Sequence, residues 1–493
     1  MSVKAALEAL KNQDFAQARG LIALEKPDSY QIQHFLIKGL AELALKDWDG
    51  ALPTFTEATK RFPSDALLWL NRGIAEENLL LIDAAIFSQE KCLALNPSQA
   101  ESCGNLSNLY RHKQRFTEAE IMARRALVLG AAKGDALNCL GLALGKQGKF
   151  AEAREAFIEA HQAAPDNPDI LANRANLETE IFDFDAAWKF FFQARAIEDK
   201  PVFRHDEALA RLLAGESERG FDLFESRLEM PRALRLHPAC PRWQGENLSG
   251  KKLLIIAEQG FGDVIQFCRY QKFLGEGDLI WAVPKNLLRL LTSVLRGAVI
   301  DETAPLPDGD YFVPIVSLPF MTQKSPSALE RNFSAPTAPL LPPGKHQKKI
   351  GLVWAGSRTH LRDHERSIGL HLLMPLLDEI KADFYAPLIG DAVREISDLP
   401  ITRLDHLITD FADTAGLLKQ VDYVVSVDTA LAHLAGSLGV KTFLLLPHCP
   451  DWRWGVAGDK TIWYPSLTLI RQPTYGDWPS VIAKLIGLLK SSF

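Results

Sequence analysis

The stretch Ala66-Leu67-Leu68-Trp69-Leu70-Asn71-Arg72-Gly73-Ile74-Ala75-Glu76-Glu77-Asn78, continued by Ile82-Asp83-Ala84-Ala85-Ile86 and closed by Pro97, decides the fold of the first half of the chain. Steps of 34 residues from Gly73 land on Gly39, Ser107, Gly141 and Ala175. The same step from Ala85 gives Ala51, Ala119, Ala153 and Ala187, and from Pro97 it gives Pro63, Ala131, Pro165 and Asp199. Small residues on a first helix and alanines on a second let two antiparallel helices approach closely, and a proline after the second helix ends it. Large residues fill the spaces between: Phe35, Trp69, Leu137 and Leu171 on first helices, Phe55, Phe157 and Phe191 on second helices. Five such helix pairs run from about 32 to 201, with weaker pairs at 2 to 30 and 202 to 230, as expected of atypical terminal units.

The period and register resemble the tetratricopeptide repeat family. The resemblance implies an all-α superhelix whose concave groove holds a segment of a protein partner. Asn71, Asn105, Asn138 and Asn173 recur at or near equivalent first-helix positions, with Asn108 and Asn176 beside them. Asparagine is a poor interior helix residue, so a repeated one lines the groove and binds a peptide backbone, or belongs to a run of solvated polar positions. A spacer or dimerisation arm is the plainer reading of the whole array.

The chain has 493 residues, which at about 150 per domain gives roughly three domains. Its composition, 47% hydrophobic and 24% charged, is that of a globular protein. The 55 basic and 61 acidic residues leave a charge of −6 with no basic tract, which argues against nucleic acid as the main partner. The six cysteines contain no C-x-x-C pair and are scattered along the chain, so the reading is a reducing cytoplasm rather than a disulfide framework or zinc site. No stretch reaches the ~18 apolar residues of a membrane span.

After a Pro-containing connector at 231–249, period two replaces period 3.6. Lys252–Ala257 reads as a buried strand, Asp263 to Leu274 as a helix, and 278–283 and 311–316 as further strands. The Pro/Ser-rich stretch 319–343 reads as a linker that no regular element occupies. A second half begins at Lys349-Ile350-Gly351-Leu352-Val353-Trp354 and continues through strands at 384–389, 423–427 and 441–446. The division is therefore 1–230 for the repeats, 250–345 and 346–493 for two doubly wound halves, with ligands expected at the carboxyl ends of their strands.

Four segments lie at those ends. In Ala257-Glu258-Gln259-Gly260-Phe261-Gly262-Asp263-Val264-Ile265-Gln266 a glycine turn leads to an aspartate at a helix start, which is a cap or a functional carboxylate. Gln259, Gly260, Gly262 and Gln266 flank it. In Trp354-Ala355-Gly356-Ser357-Arg358, followed by Arg362, Arg366 and Ser367, small residues and arginines suit a phosphate or form a solvated loop. In Asp428-Thr429-Ala430-Leu431-Ala432-His433 a strand runs into a helix whose free N–H groups suit a pyrophosphate, and His433 faces the ligand or packs. The aromatics of Asp451-Trp452-Arg453-Trp454 stack on a base or sugar, or are core.

Together these segments resemble the heptosyltransferase-like, family 9 branch of GT-B glycosyltransferases, in the subgroup fused to tetratricopeptide repeats. The resemblance spans about 235 to 493 and implies two Rossmann-like lobes, with the acceptor side at 250–345 and the nucleotide-sugar side at 346–493. It implies Asp263 as general base and Asp428, Thr429 and Ala430, with Arg366 before Ser367, as donor-binding residues; on that reading Arg358 and His433 join the donor side, and Gln259, Gly260, Gly262, Gln266, Trp452 and Trp454 are expected acceptor or sugar contacts. The sequence departs in carrying arginine where that family often has lysine, and in a first lobe of about 95 residues, short for the class, which speaks against lipid-linked acceptors. Asp-x-Asp occurs only at Asp183/Asp185 and Asp308/Asp310, in a repeat helix and a turn, and no glutamate follows Glu395. These features imply inverting transfer with no metal and no cofactor beyond the nucleotide-sugar donor. The expected function is cytoplasmic transfer of a sugar to Ser or Thr of a protein held by the repeats, such as the bacterial surface-filament subunit flagellin. The alternatives are a non-catalytic repeat scaffold or chaperone with a degenerate GT-B module, and a lipopolysaccharide-core glycosyltransferase.

Overall fold

The computed structural model describes residues 2–25, 30–231, 233–329, 333–358, 360 and 362–493. Among the described residues fourteen helices come first: α1 (Ser2–Lys11), α2 (Phe15–Ala23), α3 (Ile32–Ala44), α4 (Trp48–Arg61), α5 (Ala66–Asn78), α6 (Ile82–Leu95), α7 (Ala100–His112), α8 (Phe116–Val128), α9 (Lys133–Gly145), α10 (Phe150–Ala163), α11 (Pro168–Glu180), α12 (Phe184–Ile197), α13 (Pro201–Leu213) and α14 (Ser217–Phe224). The chain forms two compact units, Met1–Ile181 with Phe192–Glu198, and Phe182–Phe191 with Asp199–Phe493.

In the first unit the small-residue ladder has a direct steric cause. A Cβ on Gly39 would fall 2.3 Å from the Phe55 ring, one on Gly141 2.8 Å from Phe157, and one on Gly73 2.5 Å from Gln89. Glycine faces a large partner sixteen residues on, whereas Ser107 has Ala123 at the same offset, so side-chain bulk at each crossing stays nearly constant. Pro63, Pro97 and Pro165 each stand two residues past the end of a second helix, where a missing N–H costs nothing. A fourth ladder is conformational: Lys46, Leu80, Gln114, Gly148 and Phe182, again 34 apart, all have positive φ between 58° and 73°. This left-handed residue turns the chain from the first helix of a pair into the second.

The second unit contains two all-parallel sheets. The first is built from β1 (Lys252–Ile256), β2 (Asp278–Val283), β3 (Ala298–Asp301) and β4 (Tyr311–Pro314), in the order β3-β2-β1-β4. The second holds β5 (Lys349–Val353), β6 (Asp383–Ala386), β7 (Ile401–Arg403), β8 (Tyr423–Val427), β9 (Thr442–Leu446) and β10 (Leu467–Arg471), in the order β10-β9-β8-β5-β6-β7. Counted from β5, this is the order 3-2-1-4-5-6 of a doubly wound sheet, with its reversal between β5 and β8. Both faces of its central strands are covered: Val424, Leu444 and Leu446 enter one core, Val425, Val427 and Leu445 another. Burial on both faces explains why these strands read as unbroken apolar runs.

The helices that accompany these sheets along the chain are α15 (Phe261–Phe267), α16 (Lys285–Thr292), α17 (Leu318–Thr322), α18 (Asp363–Arg366), α19 (Met374–Glu379), α20 (Phe411–Leu418), α21 (Ala430–Ser437) and α22 (Trp478–Ser492). Two expectations need correction. The stretch 319–343 is not free of regular structure, because Pro319 sits in the first turn of α17, where its fixed φ favours a helix. The helix expected from Asp263 to Leu274 starts at Phe261, ends at Phe267 and tightens into a 3-10 turn over Cys268–Phe273.

The pair α13 and α14 belongs to the second unit, and Leu212, Leu213, Phe221 and Phe224 share a core with β1 and α15. A 3-10 turn at Glu225–Glu229 follows α14. Arg227 from this turn donates to Glu258, just past β1, at 3.0 and 2.6 Å and to Ser317 at 2.7 Å. Arg227 and Glu258 are both buried. The Val316 N–H donates to the same carboxylate at 3.1 Å.

Candidate functional site

The carboxyl ends of β5 and β8 flank the point where the strand order reverses, so the loops leaving these two strands line the crevice where doubly wound sheets bind ligands. After β5, a Cβ on Gly356 would lie 2.6 Å from the Arg366 guanidinium and 3.0 Å from the Asp363 carboxylate. Only glycine lets Arg366 rest on this backbone. Ser367 Oγ accepts the Gly356 N–H at 2.9 Å and donates to Asp363 at 2.8 Å, while Arg366 Nε donates to Asp363 at 3.2 Å. After β8, the buried Asp428 and Thr429 precede Ala430, the first residue of α21. Burial, and next the charge of Asp451, push the Asp428 carboxyl up to about 6. The Trp454 indole N–H, Arg366 and Arg453 oppose that rise, although the indole makes no hydrogen bond of regular geometry.

The turn after β1 brings the second group of residues. Gln259 has φ 57°, a left-handed conformation that bends the chain sharply into α15. Asp263 is the third residue of that helix, and its Oδ2 accepts the Gly260 N–H at 2.9 Å. Its other oxygen pairs with Arg453. Arg453 also donates to Asp451 at 2.9 Å and from Nε to Gln266 Oε1 at 2.5 Å, and its guanidinium lies 4.3 Å from the centre of the Trp452 ring. Burial works to raise the Asp451 carboxyl, but Arg453 outweighs it and holds the group below its ordinary range.

A Cβ on Gly262 would meet His433 at 2.9 Å, so the glycine permits close packing of α15 on α21. The His433 ring stacks on Trp454 with centroids 5.4 Å apart, and Nδ1 is 3.0 Å from the Tyr464 hydroxyl. Burial, then the Arg453 charge, push His433 down to about 3, so it packs as a neutral ring.

The structure thus brings Asp263, Gln266, Arg366, Asp428 and His433 into one polar cluster whose hub is Arg453. Trp452 and Trp454 are buried, Trp452 against Phe221 and Trp463, and they form walls rather than an open stacking platform. Arg358 is largely exposed and lies 3.8 Å from Asp391. In the repeats, Asn173 donates to Asn138 at 3.0 Å, Asn105 is half-buried, and the buried Asn71 spends its amide on Leu67 O of its own helix at 2.7 Å. Sequence reasoning singles out the two tryptophans of this segment and passes over Arg453 and Asp451 beside them. The signal available was an acid and a base two residues apart after a buried strand. Among the described residues no group of three or more His, Cys, Asp or Glu side chains is placed to hold a metal ion, and no helix is long and apolar enough to cross a membrane.

Models of the tetratricopeptide repeat family match residues 38–91, 99–130 and 134–167. The N-terminal part is a tetratricopeptide superhelix. Over 537 aligned residues the chain is 25% identical to Protein FlbA of Caulobacter vibrioides, covering 98% of this chain and 89% of the relative. Among solved structures, a tetratricopeptide repeat protein from Parabacteroides merdae aligns with 46% of this chain and 91% of its own, at 17% identity and a TM-score of 0.41. MamA aligns with 33% of this chain and 96% of its own, at 24% identity and a TM-score of 0.29.

Proposed function

We propose that this chain is a repeat scaffold that holds a segment of a protein partner and binds a nucleotide sugar in its α/β half. The repeats support the first part, with the Asn138–Asn173 pair on adjacent first helices as its recognition element. One observation supports the second part: the strand order reverses between β5 and β8, and Arg366, Asp428 and Thr429 lie in the segments that leave these two strands. A guanidinium and the N-terminus of α21 suit a diphosphate there.

In the ligand-free chain both carboxylate oxygens of Asp263 already accept a donor, the Gly260 N–H and Arg453, which favours binding without turnover as long as that pairing holds. A second reading, glycosyl transfer, is favoured by the membership of Asp263 in the same cluster as Asp428 and Arg366. In it Asp263 takes the proton of a Ser or Thr hydroxyl on the held protein, the hydroxyl oxygen displaces the nucleoside diphosphate with inversion, and Arg366 stabilises the leaving charge. A filament subunit such as flagellin, modified in the cytoplasm before export, is the acceptor this reading points to.

Calorimetric titration of the full chain with UDP, GDP, ADP and dTDP, alongside release of diphosphate from the corresponding sugars, separates the readings. Saturable binding weakened about tenfold or more by Arg366→Ala, without turnover, supports the scaffold. Turnover that Asp263→Asn lowers by roughly 10²–10⁴ supports transfer. No binding of any diphosphate refutes the nucleotide site.

A further inference from the structure

Arg453 links carboxylates from two strand ends, Asp263 after β1 and Asp451 after β9, and its Nε is taken by Gln266 Oε1. That last bond fixes which way the Gln266 amide points, because only its oxygen can accept from a guanidinium. The amide nitrogen is thereby left beside the guanidinium, fully buried and without a partner. A buried N–H pair with no acceptor carries a desolvation cost that an oxygen-rich group in the crevice would remove.

The charges lead to the same ligand by another route. With Arg366 and Arg453 set against Asp263, Asp363, Asp428 and Asp451, the cluster has no surplus positive charge to offer an anion. An anion gains a full guanidinium only by displacing a carboxylate. Both carboxylates also accept a backbone N–H, Asp451 from Arg453 at 3.1 Å and Asp263 from Gly260 at 2.9 Å, but Asp451 is tied to Arg453 by the chain itself, two residues away. Asp263 is held to Arg453 from a different sheet, 190 residues away in sequence.

We propose that Arg453 is the anion-responsive residue of this site: a bound diphosphate takes its guanidinium, with the Gln266 amide as second donor, and so releases Asp263. The ligand-free pairing holds the aspartate out of use, and the donor's own phosphates lift that restraint. The inference rests on the nucleotide-sugar reading and adds a residue and a regulation to it.

The test is a competition. If Asp263 competes with the anion for Arg453, Asp263→Asn tightens binding of UDP and of inorganic pyrophosphate by about tenfold. Arg453→Lys, which keeps the charge but loses the fork, weakens both ligands, and in the Asp263→Asn/Arg453→Lys double variant the gain from asparagine disappears. Asp263→Asn carries the decision by itself if the lysine variant does not fold. Binding by the wild-type chain that Asp263→Asn leaves unchanged overturns this inference and spares the nucleotide site. Absence of binding in wild type and Asp263→Asn alike overturns both.

Discussion

Asp428→Asn isolates the cost of keeping a carboxylate at the end of β8. The side chain is buried, and its carboxyl is raised from 3.8 to about 6, by burial first and the Asp451 charge second. A raised folded-state value means that the native chain binds the proton more tightly than the unfolded chain, so stability falls as pH rises through that window. The cost is absent well below the ordinary carboxyl value and complete above the raised one. Two units at about 1.4 kcal/mol each amount to roughly 3 kcal/mol at pH 7.5, shrinking to about 1 kcal/mol at pH 4.5. Asparagine keeps the shape and removes the titration, so the variant should be the more stable protein by these amounts. Urea unfolding followed by tryptophan fluorescence at the two pH values measures both. A wild-type-to-variant gap independent of pH refutes the reasoning.

Arg227→Ala leaves the buried Glu258 side chain without its ion-pair partner, and should cost about 3–5 kcal/mol in the α/β unit by the same unfolding assay. Gly148 holds a left-handed turn in the repeats with φ 73°, so Gly148→Ala should lower repeat stability by roughly 1 kcal/mol, while Leu80→Gly at the equivalent turn should raise it by less. Thermal unfolding of the full chain monitored by circular dichroism checks the pair.

The legibility of each feature depends on the physical demands placed on its residues. The repeat ladders at Gly73, Ala85 and Pro97 are readable because a close helix crossing and a helix end each admit few residue types. The left-handed ladder through Lys46, Leu80, Gln114 and Phe182 is not, since a backbone held by its flanking helices accepts almost any side chain there. Central strands such as 423–427 show as apolar runs, whereas β3, β7 and β10 do not stand out. All three are sheet edges, and β3 and β7 are short and partly exposed. In the site, Asp263, Arg366 and Asp428 are found from their place at strand ends. Arg453 escapes notice because its partners Asp263 and Gln266 lie 190 and 187 residues away, a distance at which spacing carries no signal. His433 and the two tryptophans stay open in the sequence between ligand contact and packing, because nothing local distinguishes a wall from a pocket lining.

The buried Arg227–Glu258 pair also bears on how the chain is made. Arg227 leaves the ribosome well before Ser317, its partner 90 residues later. At 5–20 residues per second that interval is roughly 5–20 s. Through it, α13 and α14 present Leu212, Leu213, Phe221 and Phe224 while the four-stranded sheet that shares their core is still incomplete. The nascent chain therefore passes through a stage at which this apolar face is uncovered, and slow translation across 231–317 prolongs it.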